Sequence, residues 1–289
     1  MRRMYTILTA PLVLGAATLP AQVRTLDVGD ATINYDVSGR GRAVVFIHGW
    51  AHNLSAWDDQ VPVFKSRYQV VRYDSRGFGH STGFSDVSLE PRDLLILLEA
   101  LHVDRAFIVG HSRGGNVALR FAAAYPERVE GLVLYGSAPG APEDSEAARF
   151  FASLPDVAKS VGLDSVGKLV LASPLAWVPP GRTDVTERYH RIWAAYSGKD
   201  LLDPRPPTRF VRQPSIPEVY RLKVPILLIM GDHEAPALAA RADTLVRHMT
   251  NARKVVIPNA GHGAHFAQPT SFNSALMDFF FDVERNRKR

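Results

Sequence analysis

Gly110-His111-Ser112-Arg113-Gly114 places a serine between two glycines, each two positions away, and it closes the short apolar run Phe107-Ile108-Val109. A helical pattern follows at once. A serine hydroxyl becomes a useful nucleophile when it is presented on a sharp turn beside a base. G-x-S-x-G between a strand and a helix supplies that turn. Gly110 and Gly114 are small because side chains there would meet the neighbouring strand and helix. The turn also sets Ser112 at a helix N-terminus, where unpaired amides and the positive end of the helix dipole face the hydroxyl. The same spelling arises by chance and can mark a tightly packed turn, so the reading depends on partners elsewhere in the chain.

The serine needs a base, a group that orients the base, and donors for an oxyanion. His262 lies in Asn259-Ala260-Gly261-His262-Gly263, a Gly-flanked loop after the last strand pattern, where an imidazole can swing toward Ser112. The chain has 10 histidines, so rivals need a reading too. His111 points along its strand into packing. His48 braces the loop after its strand, and His265 is a packing or supporting residue. The acid lies in Gly231-Asp232-His233-Glu234, which offers two carboxylates, Asp232 and Glu234. The order Ser, acid, His is that of the hydrolase sheet. By the mechanics of the turn, one oxyanion donor is the Arg113 N–H. The other comes from the loop after the 43–47 strand.

These residues must be held at strand ends. Arg24–Val28 and Ala31–Val37 alternate about the Gly29-Asp30 turn and read as a hairpin. Ala43–Ile47, Gln69–Tyr73, Phe107–Val109 and Val129–Tyr135 are continuous apolar runs, as strands covered on both faces require. Helical patterns at Trp57–Phe64, Pro91–Leu101 and from Ser112 to Tyr125 alternate with them. Val224–Met230, a helix over Pro236–His248, a strand at Arg253–Ile257 and a helix over Pro269–Phe281 complete the pattern. This predicts a mostly parallel, doubly covered sheet with ligands beyond the carboxyl ends of its strands. Between them, residues 138–222 hold many prolines, no clear strand, and aromatics including Trp177, Trp193 and Phe210. They read as a helical lid insertion, because so long a structureless loop is improbable in a compact domain.

Composition narrows the classes. The chain has 289 residues with a net charge of +5, and part of that excess lies in the basic tail, residues 284–289. No basic stripe interleaves with aromatics, so nucleic acid is not expected as a partner. There is no cysteine, which excludes disulfides and thiolate catalysis. Met1-Arg2-Arg3 before the uncharged run Tyr5–Leu19 reads as a signal peptide or leader over residues 1–21, which points to export to the periplasm or outside. The run is too short and Pro-broken for a membrane span. Oligomeric state has no signature in the sequence.

His48-Gly49-Trp50, the loop Asp74 to Ser81, Gly110 to Gly115, Gly231 to Glu234 and Gly261-His262 together resemble, in order, the landmarks of the α/β-hydrolase superfamily. The resemblance runs over most of residues 24–281 and is nearest the lidded esterases, enol-lactonases and cofactor-free haloperoxidases. It implies an α/β-hydrolase core over residues 23–137 and 223–283. It implies Trp50 as the second oxyanion donor, with its indole on the acyl pocket. The family's usual G-x-x-D puts the acid at the fourth position, which here is Glu234, a departure from Asp that adds a methylene. The expected activity is hydrolysis of small carboxylic esters or lactones through an acyl-enzyme on Ser112, His262 and Glu234. No cofactor or metal is implied. Amide or carbon–carbon bond cleavage would use the same residues. A protein of another class, one that binds a hydrophobic ligand with little or no turnover, is the competing expectation.

Overall fold

The structure, a computed structural model, describes residues 24–140, 145–173, 178–203 and 214–287. The expected leader at 1–21, the aromatics Trp177 and Phe210, and the last two residues of the basic tail lie outside them.

Eight strands form one sheet: β1 (Arg24–Asp27), β2 (Thr32–Ser38), β3 (Arg42–Ile47), β4 (Tyr68–Tyr73), β5 (Ala106–His111), β6 (Val129–Tyr135), β7 (Ile226–Gly231) and β8 (Ala252–Ile257). Their order is β1-β2-β4-β3-β5-β6-β7-β8. β2 pairs antiparallel with both β1 and β4, and every other pairing is parallel. The chain leaves β3 to one side for β4 and returns to the other side for β5. The crevice beyond β3 and β5 is therefore a topological switch point, where open α/β sheets bind ligands.

Successive side chains alternate between the two faces, which explains the uninterrupted apolar runs. Val44, Phe46, Phe107, Val109, Val133, Leu227 and Ile229 join one core cluster. Val45, Ile47, Ile108, Leu132, Leu134, Ile226 and Leu228 join the other. Helices α1 (Val61–Phe64), α2 (Glu90–Ala100) and α3 (Arg113–Ala124) lie in the first half. Among the described residues, five more lie between β6 and β7: α4 (Glu146–Val161), α5 (Leu163–Leu171), α6 (Thr183–Ala194), α7 (Lys199–Leu202) and α8 (Ile216–Tyr220). α9 (Pro236–His248), α10 (Ala264–Ala267) and α11 (Pro269–Asn286) complete the chain.

Of the helices given bounds above, two differ by more than one residue from expectation. A helix over Trp57–Phe64 is replaced by a 3₁₀ turn at Leu54–Trp57 and the single turn α1. Pro62 has no N–H to donate to the Asp58 carbonyl, so a helix begun at Trp57 cannot run through it. α11 continues five residues past Phe281, to Asn286. Phe279, Phe280 and Val283 stay buried along it, so its apolar face still has a sheet to cover.

Candidate active site

Ser112 caps α3 with φ 52° and ψ −112°, a left-handed backbone that a side chain rarely adopts. Such conformations cost about 1–3 kcal/mol and persist where the surroundings hold them. Here the Ser112 N–H donates to the Tyr135 carbonyl at the end of β6 (2.8 Å), and its own carbonyl accepts from Gly115 and Asn116. Both motif glycines are required by contact. A Cβ on Gly114 would lie 2.5 Å from the carbonyl oxygens of Ile47 and His48, and one on Gly110 would strike the Gly114 carbonyl.

Arg113 is the first residue of α3, so its amide belongs to the set a helix leaves without an internal partner. Its guanidinium is drawn away from the turn. It pairs with the buried Glu90 carboxylate, donates to Ser85 Oγ (3.0 Å) and lies 4.7 Å over the Phe78 ring. Trp50 sits in the turn after β3, where Ala51 takes φ 61° and His52 N–H donates to the Gly49 carbonyl (3.3 Å). The Trp50 indole is buried. It donates to Asp200 on α7 (2.8 Å) and meets Phe151, Trp193 and Tyr196 edge-on at 5.4–5.6 Å. Tyr196 also donates to Asp200. Neither the Glu90 anchor nor Asp200 stood out in the sequence. Asp200 is 150 residues from Trp50, and no local pattern marks it.

The two acid candidates separate cleanly. Asp232 accepts the Asn259 N–H (2.9 Å) and the Ala260 N–H (3.0 Å), tying the loop after β7 to the loop after β8. Desolvation pushes its carboxyl up, but these amides outweigh it and hold it below the usual carboxylate value. Glu234 instead turns inward. Both its oxygens lie 3.1 Å from His262 Nδ1, and both residues are buried. Gly136, just after β6, underlies the pair: a Cβ there would sit 3.0 Å from His262 Cε1 and Nδ1. Ser112 is bonded to the preceding residue, Tyr135, so Ser112 and the His262–Glu234 pair flank one strand end. The His262 carbonyl accepts from Tyr135 OH (2.5 Å) and His111 Nε2 (3.0 Å), which fixes the loop from beneath.

The rival histidines have structural partners. His48 Nε2 accepts the Ser75 N–H (2.9 Å), so its Nδ1 carries the proton that goes to the Gly49 carbonyl (2.7 Å). That bond braces the turn carrying Trp50. Asp74 accepts from Asn34, Leu54 N–H and His80 N–H, and Arg76 is held by Asp93 and Asp30; both pin the 74–81 loop. His233 lies on the surface, 3.9 Å from Asp232.

Burial leaves four imidazoles neutral. Desolvation lowers His48 to about 4 and His52 to about 3, and pushes His111 and His265 well below the ordinary histidine value. The unfolded chain titrates these groups at about 6.5, so it binds more protons than the fold below that pH. Stability is therefore complete above about pH 6.5 and falls as the pH drops toward the folded values. Each group contributes up to about 1.4 kcal/mol per pH unit over its window. Urea midpoints are expected to fall steeply between about pH 6.5 and 4.5. A midpoint constant over that range would show that these rings do not stay neutral in the fold.

Comparison with known proteins bears on the fold and the family. Residues 42–269 match the family model described as alpha/beta hydrolase fold. The chain is 28% identical over 270 residues to a pimeloyl-[acyl-carrier protein] methyl ester esterase of Nitrosomonas europaea, covering 85% of this chain and 98% of that one. It is 24% identical over 262 residues to 3-oxoadipate enol-lactonase 2 of Acinetobacter baylyi, covering 87% and 94%. The crystal structure of a hydrolase from Pseudomonas aeruginosa PA01 superposes with a TM-score of 0.76 at 25% identity, over 89% of this chain and 98% of that one.

Proposed function

The chain belongs to the alpha/beta hydrolase fold family, and from that premise we propose that it is a serine hydrolase acting on small carboxylic esters or lactones. The observations that carry the reading are the strained Ser112 turn, hydrogen-bonded to Tyr135 at the end of β6, and a His262 ring that lies over the next residue, Gly136, with its Nδ1 facing both oxygens of Glu234. The esterase and the enol-lactonase among its relatives support the substrate class.

In this reading Ser112 Oγ attacks the acyl carbon and its proton passes to His262 Nε2. Glu234 holds the Nδ1–H and offsets the positive charge that forms on the ring. The carbonyl oxygen gathers negative charge against the Arg113 and Trp50 amides. The tetrahedral species collapses, and the alcohol leaves with the proton from His262. Water then repeats the sequence on the acyl-serine, releasing the acid and restoring the serine. The helices α4 to α8 act as the lid. Their contacts with the site include Asp200, which holds the Trp50 indole, and Tyr189, which packs against Gly263, next to His262.

The test is pre-steady-state hydrolysis of p-nitrophenyl acetate and butyrate, with a lactone panel alongside. An initial burst of nitrophenol equal to the protein concentration, followed by slower turnover, is expected for an acyl-enzyme. Folded protein that binds these esters without releasing nitrophenol would make it a ligand-binding member of the fold instead.

A further inference from the structure

Three buried histidines that the triad does not use come together beneath the site. His52 follows the Trp50 turn, His111 ends β5 and His265 lies in α10. One ring nitrogen from each lies within 4.8 Å of one from each of the others. The left-handed backbone at Ala51 turns the chain just before His52, whose ring is walled by His111, Tyr189 and Phe266 at 5.6–5.8 Å.

Hydrogen-bond logic fixes two of the tautomers. The His262 carbonyl can only accept, so His111 Nε2 must carry the proton it gives there, and His111 Nδ1 is a bare lone pair. Tyr135 OH spends its one proton on the same carbonyl. Its oxygen therefore accepts from His265 Nδ1–H (3.0 Å), which leaves His265 Nε2 bare as well. Neither bare nitrogen has a hydrogen-bond partner among the described residues, although both rings are at most 1% exposed. Buried acceptors in that state call for a partner that carries positive charge or a proton. The pattern on the far side of each ring is also that of a metal ligand: one nitrogen tied by its N–H to a carbonyl or hydroxyl, the other free to donate electrons.

We propose that His52, His111 and His265 form a binding site for one divalent first-row cation of the Zn2+ type. Three imidazoles suit Zn2+, Cu2+ or Ni2+ and not the hard, oxygen-seeking Mg2+ or Ca2+. Tetrahedral Zn–N bonds of about 2.0–2.1 Å set ligand nitrogens roughly 3.4 Å apart. The rings must therefore draw together slightly from the separations here. Because the His111 ring is 4.9 Å from that of His262 and bonds its carbonyl, the cation sits directly behind the proposed catalytic base. The site itself does not depend on that catalytic role, and its test reads binding alone.

The experiment is equilibrium dialysis of EDTA-treated protein against Zn2+, with Co2+ as a spectroscopic probe. One Zn2+ per chain is expected, with a Kd of about 10 μM or tighter. It should weaken by roughly 10–100-fold or more in His52→Leu and in His265→Phe, each checked for folding by circular dichroism. The Co2+ form of the full-length protein should show the intense visible band of tetrahedral cobalt. It should also show two strongly shifted, slowly exchanging imidazole N–H resonances, from His111 and His265. That spectrum decides the matter even if both variants misfold. No stoichiometric binding, octahedral cobalt without shifted N–H signals, or equal affinity in the folded variants would overturn the site.

Discussion

Replacing Ser112 with alanine is expected to lower kcat for ester hydrolysis by roughly 10⁴–10⁶-fold and to change KM by only a few-fold. The substitution deletes the attacking oxygen and nothing else that the site uses. The left-handed backbone at Ser112 is held by main-chain bonds, from its N–H to Tyr135 and to its carbonyl from Gly115 and Asn116. Alanine keeps all of them and meets the same φ penalty as serine. The fold and the amide donors therefore survive, and a residual acceleration over water of about 10³–10⁴ remains from binding and oxyanion stabilisation. Initial rates on protein of verified concentration and unchanged melting temperature measure the effect. A variant within tenfold of wild type would remove Ser112 from the chemistry.

The second large effect distinguishes two carboxylates that are two residues apart. Glu234→Gln is expected to cost about 10³–10⁴ in kcat, with stability nearly unchanged. The amide keeps the size of the side chain and an oxygen that can accept from His262 Nδ1–H. It loses the charge that stabilises the imidazolium once Ser112 has given up its proton. Asp232→Asn is expected to do the opposite. Its two oxygens accept two loop amides, and asparagine has one oxygen for them, so one amide is left facing an NH₂ group. The cost should be about 1–3 kcal/mol in unfolding free energy, with kcat within tenfold of wild type. Rates and urea unfolding on both variants make the comparison. The reverse pattern, slow Asp232→Asn and normal Glu234→Gln, would transfer the orienting role to Asp232.

How much of this was legible in the sequence follows from which interactions are local. The strands and their burial on both faces could be read, because alternation and apolar runs are properties of neighbouring residues. So could the elbow, since Gly110 and Gly114 are constrained by contacts within one turn and the adjacent strand end. The preference for Glu234 over Asp232 rested on position within a family pattern. The geometry gives it a cause: Asp232 is taken by the amides of residues 259 and 260, contacts made across two strand ends. The packing of the Trp50 indole against Asp200 and an aromatic group from α4 to α7 could not be read. Its partners are 101 to 150 residues away, and nothing in the spacing of the insertion marks them. His52 and the tautomers of His111 and His265 were hidden for the same reason. The helix expected across Pro62 was a local misreading, since a proline in that position argues against it on its own.

The central claim is a nucleophilic serine at residue 112, and intact-mass analysis after exposure to a fluorophosphonate tests it most directly. The reagent phosphonylates a serine whose hydroxyl is activated by a neighbouring base and whose phosphoryl oxygen can settle into an oxyanion hole. The account predicts one adduct per chain on the wild type, mapped to the peptide containing Ser112, and none on Ser112→Ala under the same conditions. Unmodified wild-type protein, or equal labelling of folded Ser112→Ala, would contradict it.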